Sequence, residues 1–366
     1  MPTAEQLKEL QSKTLEEKIQ ISSARIMEWY QRWNGQVYVS FSGGKDSTVL
    51  LHLVRRLYPD VVAVFSDTGL EYPEIREFVK TIDNVDWVVP QKYDKEKKKW
   101  VRYTFSDVIK DVGYPIISKE VAGVIESAKR GVPNKVCALK GENLNGIKSN
   151  YRKRYVKYSY LLNSNFNISD KCCEYMKKNP IKKYEKEEKK KGIIGTMTCE
   201  SAMRKNTWMK TGCNAFETAR PLSAPLSFWT EQDVLQYIKK YNLQYASVYG
   251  ELVEDSKGKL YFTKEQRTGC VFCGFGCHLE KEPNRFQRLI ETHPKLYNYC
   301  INGGEYNEDG VWQPSKTGLG MGKVLDYIGV DYKPVTKEEQ NIAISTTSRP
   351  INHCLRRSSA NNFNCF

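Results

Sequence analysis

Short apolar segments alternate with amphipathic ones in the N-terminal part of the chain. Residues 37–41 and 61–66 (VVAVFS) are rich in β-branched and aromatic types, which predicts two strands. Residues 46–58 and 72–82 have helical periodicity, and a third strand is expected at 85–90. Strands that alternate with helices predict an α/β fold, here a doubly wound, mostly parallel sheet with helices on both faces.

The remaining chain suggests three regions around this pattern. Apolar residues at helical spacing predict N-terminal helices within residues 1–34. We expect the α/β domain to cover residues 35–280, with a basic insertion at about 91–191 where the pattern is lost. Residues 281–366 are weakly patterned, which predicts a helical or irregular C-terminal region.

The first strand runs directly into the sequence SGGKDS. Glycines ahead of a helix let an anion approach the backbone, and the unpaired N–H groups of the first helical turn attract it. Lys45 adds a positive charge, but Asp46 follows it where a Walker A loop has Ser or Thr. The sequence therefore predicts an anion site, with a plain tight turn as the alternative. Its residues are Ser42, Gly43, Gly44, Lys45, Asp46 and Ser47.

SGGKDS after a first strand resembles the PP-loop of the adenine nucleotide α-hydrolase superfamily. The resemblance implies that the loop cradles the pyrophosphate of ATP, which is split between its α and β phosphates to adenylate a substrate. It assigns catalytic roles to Lys45 and Asp46. It also implies Mg²⁺ bound to the phosphates through Asp46 or Asp67.

Two further segments resemble the phosphoadenosine phosphosulfate (PAPS) reductase branch of that superfamily. Asp67, Thr68 and Gly69 lie in DTGLEYP, similar to that branch's DTGxxYPE, and ligands of such sheets bind at the carboxyl ends of the strands. Residues 195–204 (GTMTCESAMR) are similar to GxRxxESxxR, but Met197 replaces the first arginine. Arg204 is therefore the anion contact that the resemblance implies there.

Four cysteines form a pattern of two distant pairs. Cys172 and Cys173 are adjacent, and Cys270 and Cys273 form a CxxC. A CC pair followed by CxxC resembles the [4Fe–4S] ligand set of iron–sulfur members of the same family, and thiolates suit iron. The alternatives are a zinc site with the same ligands and unligated thiols, and Cys277 offers a ligand swap.

The chain is basic, with 57 Lys+Arg against 43 Asp+Glu. Within the expected insertion, KYDKEKKKW and YRKRYVKYSY interleave cations with aromatic rings, which favours nucleic acid (DNA or tRNA) as a partner through phosphate pairing and stacking. The alternative is a solvated insertion, and we favour that alternative for the mixed-sign KKYEKEEKKKG at 182–192.

The sequence also bears on cellular location. It contains no apolar run near the ~20 residues of a membrane span, and its start is polar, so we expect a cytoplasmic protein. In that compartment cysteines are thiols or metal ligands rather than disulfides. Buried thiols are expected at Cys137, Cys199, Cys213, Cys300 and Cys354.

These features predict an ATP pyrophosphatase-type enzyme with a [4Fe–4S] cluster, which adenylates a substrate for sulfur transfer from a sulfur-donor protein. The likeness extends to the iron–sulfur ATP-pyrophosphatase component of DNA phosphorothioation systems, and less closely to cluster-dependent tRNA thiolases. One alternative is a sulfonucleotide reductase, although Cys365 near the C-terminus lacks the ECGxH-like context of reductases. Another is a non-catalytic nucleotide or nucleic-acid binder.

Overall fold

The computed structural model describes residues 2–334. Its helices are α1 Ala4–Ser12, α2 Leu15–Arg32, α3 Lys45–Arg55, α4 Pro73–Lys80, α5 Phe105–Val112, α6 Lys119–Lys129, α7 Pro133–Leu139, α8 Lys153–Val156, α9 Asn179–Glu188, α10 Ala202–Thr211, α11 Glu231–Tyr241, α12 Arg285–Thr292, α13 Pro294–Ile301 and α14 Met321–Tyr327. Its strands are β1 Val37–Ser40, β2 Ala63–Ser66, β3 Val85–Val88, β4 Gln91–Asp94, β5 Lys99–Arg102, β6 Ile116–Ile117, β7 Lys191–Ile193, β8 Asn214–Ala215, β9 Leu222–Ser223, β10 Leu252–Glu254, β11 Leu260–Phe262, β12 Gly274–Phe275, β13 Glu305–Tyr306 and β14 Trp312–Gln313.

The chain divides into two compact units, whose boundaries differ from the expected ones. The first unit comprises the chain up to Arg102 together with Met176–Val271. The second comprises Tyr103–Tyr175 and the described chain from Phe272 onward. Most of the expected insertion thus folds with the C-terminal region rather than as an appendage of the sheet.

The first unit contains a six-stranded sheet in the order β3-β2-β1-β7-β9-β8. All neighbouring pairs are parallel except β8 with β9. The chain passes from β1 outward to β2 and β3, and later returns on the other side of β1 as β7. This order confirms the predicted doubly wound fold, and it makes the end of β1 the switch point at which such sheets bind ligands.

The N-terminal helices belong to the first unit rather than forming a separate region. Both begin with capping boxes at threonine, which satisfy backbone N–H groups of the first turn. From α2, the buried Lys18 ammonium contacts the Asp233 carboxylate at 2.7 Å. Ser22 on the same helix donates to the Pro225 carbonyl at 2.8 Å and accepts from the Trp229 indole at 2.9 Å. These buried polar contacts fix α2 against the sheet domain.

The mixed-sign segment at 182–192 is not a solvated insertion, and that expectation was wrong. Residues 182–188 belong to helix α9, and Lys191 begins β7. In α9, Ile181 and Tyr184 share one face and are buried. Both join a core cluster with Tyr38, Val62 and Val64. Most of its charged residues are exposed, while Glu185 accepts the Tyr38 hydroxyl at 2.7 Å. Helix α9 is therefore amphipathic, with its apolar positions outnumbered by its charges.

The second unit has its own apolar core. Strands β6 and β12 pair in parallel, and the buried residues Val121 and Ile125 of α6 contribute to the interior. The Tyr114 hydroxyl donates to the Leu319 carbonyl at 2.7 Å, which ties residues 103–175 to the C-terminal segment. Within residues 2–334, none of the helices has the length and apolar character needed to span a membrane.

Candidate nucleotide site

The glycine turn lies at the carboxyl end of β1, between that strand and α3. Gly43 has a φ of +70°, and a Cβ atom there would lie 2.8 Å from side-chain methyl groups of Ile75 and Val79. Both the backbone conformation and the close packing therefore require glycine. The turn is held tightly against α4.

Helix α3 begins at this turn, and its N-cap residue provides no side-chain cap. Gly44 is the N-cap residue. Ser47 donates its hydroxyl to the Gly44 carbonyl at 2.9 Å and accepts the Ser42 N–H at 3.1 Å, which closes the loop on itself. A Cβ atom on Gly195 would lie 3.3 Å from the Asp46 carbonyl, so a third glycine follows β7 beside this helix end. The arrangement is suited to an anion at the N-terminus of α3.

Lys45 is buried, with 4% of its surface exposed. Its ammonium donates to the Gln266 carbonyl at 2.6 Å and lies 3.2 Å from the Glu231 carboxylate. Its backbone N–H donates to the Tyr249 hydroxyl at 3.0 Å. The side chain is thus positioned from the segment that precedes the CxxC, a contact that the sequence pattern did not predict.

Asp46 has a buried carboxylate oxygen, Oδ1, that has no hydrogen-bond partner among residues 2–334. Burial raises the pKa of this carboxyl group, although Lys45, Arg267 and Arg204 oppose the rise. An unpartnered buried oxygen is energetically costly, and a divalent cation would satisfy it.

Arg204 and Arg267 converge on the carboxylate of Glu200. Arg267 contacts one oxygen at 2.6 Å, and Arg204 pairs with the other. Glu200 also accepts the Met197 N–H at 2.9 Å, which fixes the carboxylate in position. Sequence reasoning identified Arg204 but missed Glu200 and Arg267, because their pairing spans segments far apart in the chain.

The loop after β2 carries a second arrangement of charges. The buried Asp67 carboxylate contacts Arg76 at 3.0 Å and Arg102 at 3.3 Å. Gly69, with a φ of +74°, donates its N–H to Asp67 at 3.3 Å. Thr68 donates its hydroxyl to Glu71 at 2.7 Å. Since two arginines already hold Asp67, its carboxylate is less suited to a metal ion than that of Asp46.

Cys199 was wrongly expected to be a buried thiol. It is exposed, and its Sγ lies 3.6 Å from the Trp229 carbonyl. Partial loss of solvent around the sulfur nevertheless raises the pKa of the Cys199 thiol, and the negative charge of Asp46 raises it further. Cys300 is buried as predicted, Cys137 and Cys213 are half-buried, and Cys354 and Cys365 lie outside the described residues.

The four cysteines of the predicted cluster are divided between the units. Cys172 and Cys173 have sulfur atoms 4.0 Å apart in the second unit, which also contains Cys273. Cys270 belongs to the first unit, where the next residue, Val271, donates its N–H to the Leu70 carbonyl at 2.8 Å. Across residues 2–334, no set of three or more His, Cys, Asp or Glu side chains is grouped around a single metal position. In a [4Fe–4S] cubane each thiolate binds a different iron, so its ligands need not be grouped around one metal position. The four-cysteine cluster therefore stays a prediction.

The segment Tyr151–Tyr158 uses much of its charge inside the second unit. Arg152 donates to the Glu142 carbonyl at 2.7 Å and to the Asn134 side chain at 2.6 Å. Arg154 pairs with Glu120 and lies over the rings of Tyr151 and Tyr155. The segment's nucleic-acid role therefore stays a prediction, with two of its cations already engaged.

The sequence from 36 to 109 and from 138 to 277 matches the phosphoadenosine phosphosulfate reductase domain. The match covers more than half of the chain and includes β1, the glycine turn, the Asp67 loop and Glu200. The chain belongs to the phosphoadenosine phosphosulfate reductase domain family. In this family member, both loops of the candidate site lie within the matched residues.

Relatives of this family member are distant. An uncharacterised protein of Methanocaldococcus jannaschii is 24% identical over 81% of this chain, which spans only 57% of that protein's length. The adenosine 5′-phosphosulfate reductase of Bacillus mycoides is 24% identical over 60% of this chain and 70% of its own length. Among solved structures, the phosphate complex of the PAPS reductase from Candida auris is 11% identical, covers 71% of this chain and 98% of its own, and has a TM-score of 0.36.

Proposed function

We propose that this family member adenylates a nucleic-acid substrate with ATP and releases pyrophosphate, as the activating step of sulfur transfer. The observation that supports this is the group of charges at the N-terminus of α3. There a buried lysine and two arginines adjoin a carboxylate that has an unpartnered oxygen. Cations suit the phosphates of ATP, and the carboxylate suits the metal ion that accompanies them.

The leaving pyrophosphate would be stabilised by Lys45 and by the N–H groups of the glycine turn. In the reaction, a nucleophilic atom of the acceptor attacks the α-phosphorus, and the bond to the bridging oxygen breaks toward pyrophosphate. Fixed positive groups at that point are worth most in the transition state, because they require no rearrangement as charge develops. Lys45 already has one fixed contact to the Gln266 carbonyl, so it would exchange Glu231 for phosphate without losing its position.

Mg²⁺ would be held by Asp46 rather than by Asp67. Asp46 has the unpartnered buried oxygen, whereas Asp67 is neutralised by Arg76 and Arg102. The ion would neutralise phosphate charge in the ground state and in the transition state. Glu200 would act by holding Arg204 and Arg267 at the edge of the site.

The second candidate is sulfonucleotide reduction, which the names of the relatives favour. One relative is an adenosine 5′-phosphosulfate reductase, and the family itself is named for a reductase. The nucleophilic cysteine of such a reaction would have to lie outside an ECGxH-like motif, because Cys365 lacks that context. Cys199 is exposed, but the raised pKa of its thiol opposes thiolate formation at neutral pH.

Product analysis separates these candidates. The purified protein is incubated with ATP and Mg²⁺, with and without oligonucleotide, and separately with adenosine phosphosulfate or PAPS and a thioredoxin-type reductant. Pyrophosphate and AMP from ATP support adenylation, and sulfite from the sulfonucleotides establishes the reductase. Nucleotide binding with neither product would identify a non-catalytic binder, while ADP and phosphate would reject cleavage at the proposed bond.

We also propose that Cys172, Cys173, Cys270 and Cys273 bind a [4Fe–4S] cluster. Four thiolates match such a cluster in number and chemistry. Protein purified without oxygen should be brown and contain about four irons per chain. Serine at any of the four should lower the iron content, whereas Cys277→Ser should retain it. A colourless protein with one zinc bound would identify the alternative metal.

A further inference from the structure

Strands β4 and β5 form a hairpin that presents two aromatic rings to solvent. Tyr93 lies directly across from Trp100, and their ring centroids are 5.8 Å apart at an interplanar angle of 71°. Tyr93 is 51% exposed and Trp100 is 59% exposed. Neither ring is buried in a core, so both are accessible to a binding partner.

The hairpin surrounds these rings with positive charge. Four exposed lysines lie in the turn and at the start of β5, against two acidic residues. The lysines are Lys95, Lys97, Lys98 and Lys99, and the acidic residues are Asp94 and Glu96. Asp94 serves the turn itself, accepting the backbone N–H groups of Glu96 and Lys97 at 3.0 and 2.9 Å. On α9, the Lys183 ammonium lies 5.3 Å from the Trp100 ring and contacts Gln91 at 3.1 Å. The patch is therefore complementary to a polyanion.

The aromatic face of the hairpin continues to the loop after β2. Side chains alternate along a strand, so Arg102 lies on the same face as Trp100, about 7 Å farther along. The Arg102 guanidinium lies 3.3 Å from the Asp67 carboxylate and donates to the Asp67 carbonyl, also at 3.3 Å. A chain lying along this face would reach the candidate nucleotide site from the side of β5.

We propose that the Tyr93–Trp100 face is a platform on which single-stranded nucleic acid stacks, and that it directs the acceptor toward the nucleotide. The inference rests on the proposed function, since it names the surface that takes that acceptor. Exposed rings bind unpaired bases, whose faces are accessible, while neighbouring lysines pair with phosphates. A duplex hides the faces of its bases, so the platform selects single strands.

The test measures binding of fluorescent single-stranded DNA and RNA to the full chain. Trp100→Ala and Tyr93→Ala should each weaken binding by roughly 5- to 100-fold, as expected for the loss of one base–aromatic stack. Trp100→Phe retains a ring and should bind within about threefold of the unmodified chain. Tyr261→Ala is the matched control, because Tyr261 is an exposed strand residue of the same unit outside the hairpin.

Three outcomes would overturn the platform. These are unchanged affinity in Trp100→Ala and Tyr93→Ala, an equal loss in Tyr261→Ala, and binding of duplex or polyglutamate as tight as binding of the single strand. Pyrophosphate release from ATP by the unmodified protein is measured in parallel. If release is absent but single strands still bind through Trp100, the proposed function fails and the platform stands. If release occurs but Trp100→Ala binds normally, the platform alone is wrong.

Discussion

The hairpin Gln91–Arg102 and the segment Tyr151–Tyr158 have similar compositions, with tyrosine or tryptophan among lysine and arginine. In the hairpin, the two rings point outward and most of the lysines lie in an exposed turn. In the segment, Tyr155 is buried and donates its hydroxyl to Glu120. Tyr151 is 66% exposed, so the segment is only partly buried, but it packs one of its rings inside the unit whereas both hairpin rings face solvent.

The difference comes from what each segment packs against. Helix α6 places Glu120 where it pairs with both Arg154 and Tyr155, and the Arg154 guanidinium lies 4.0 Å from the ring of Tyr151. The cavity beside the segment, about 570 Å³, is lined by Glu120, Glu126 and Asp170 as well as by cations. The outer face of the hairpin instead meets the cation Lys183. An acidic neighbour therefore converts a basic aromatic sequence from a binding surface into structure.

The largest effect is expected outside both segments, at Lys45. Lys45→Ala should lower the rate of pyrophosphate release by on the order of 10²–10³, because it removes a charged donor to the leaving group. Lys257→Ala, an exposed lysine in the turn between β10 and β11 of the same unit, serves as the control for lost charge. Rates are measured at saturating ATP, with thermal melting to verify folding. Unaltered turnover in Lys45→Ala would remove the glycine turn from the chemistry.

Truncation of one tyrosine in each segment tests the contrast in burial. Tyr155→Ala should reduce the free energy of unfolding by about 3 kcal/mol, because Tyr155 is buried. Tyr93→Ala should change it by less than about 0.5 kcal/mol, since more than half of that side chain already faces solvent. Urea unfolding monitored by circular dichroism measures both. Equal losses would show that the hairpin rings are structural and that the contrast is false.

Charge neutralisation tests which segment pairs with phosphates. Replacing Lys97, Lys98 and Lys99 with glutamine should flatten the dependence of log affinity for single strands on log salt by up to ~2. The same change at Arg152, Lys153 and Arg154 should flatten it by at most ~0.7, because Arg152 and Arg154 are engaged internally. Titrations at several salt concentrations provide both slopes. A larger effect from the second set would assign the nucleic-acid contact to Tyr151–Tyr158.

The sequence predicted the parts of the fold that depend on local periodicity. Strands β1, β2 and β3 and helices α3 and α4 follow from short apolar repeats, and all lie within a few residues of their expected bounds. The second unit could not be predicted, because it is built from segments separated by the whole of β7 to β11. The pairing of β6 with β12 is an example, since each strand has only two residues.

In the candidate site, too, only the features that depend on local sequence could be predicted. Lys45 and Asp46 follow from the glycine turn, whose constraints are local. Glu231 and Arg267 were missed because the fold, rather than any motif, brings them to the N-terminus of α3. Glu200 lies within the GTMTCESAMR segment, but its pairing with Arg267 could not be predicted from that segment. The contacts of Tyr151–Tyr158 could not be predicted for the same reason, because its acidic partner, Glu120, lies in another helix.

The smallest expected effects concern the contacts that Arg154 and Lys183 make with aromatic rings. Arg154→Ala should lower the free energy of unfolding by about 1 kcal/mol, because it removes an exposed ion pair and a stack between two rings. Arg154→Lys keeps the charge but not the planar group, so it should recover less than half of that loss. Lys183→Ala should cost less than about 0.5 kcal/mol, because its ammonium lies 5.3 Å from a ring that is itself largely exposed. High salt should reduce the Arg154→Ala effect only in part, since the ion pair is screened while the stack is not.

A loss at Lys183 as large as that at Arg154 would mean that Trp100 is held by α9 as a packed residue. The hairpin would then resemble Tyr151–Tyr158 rather than contrast with it.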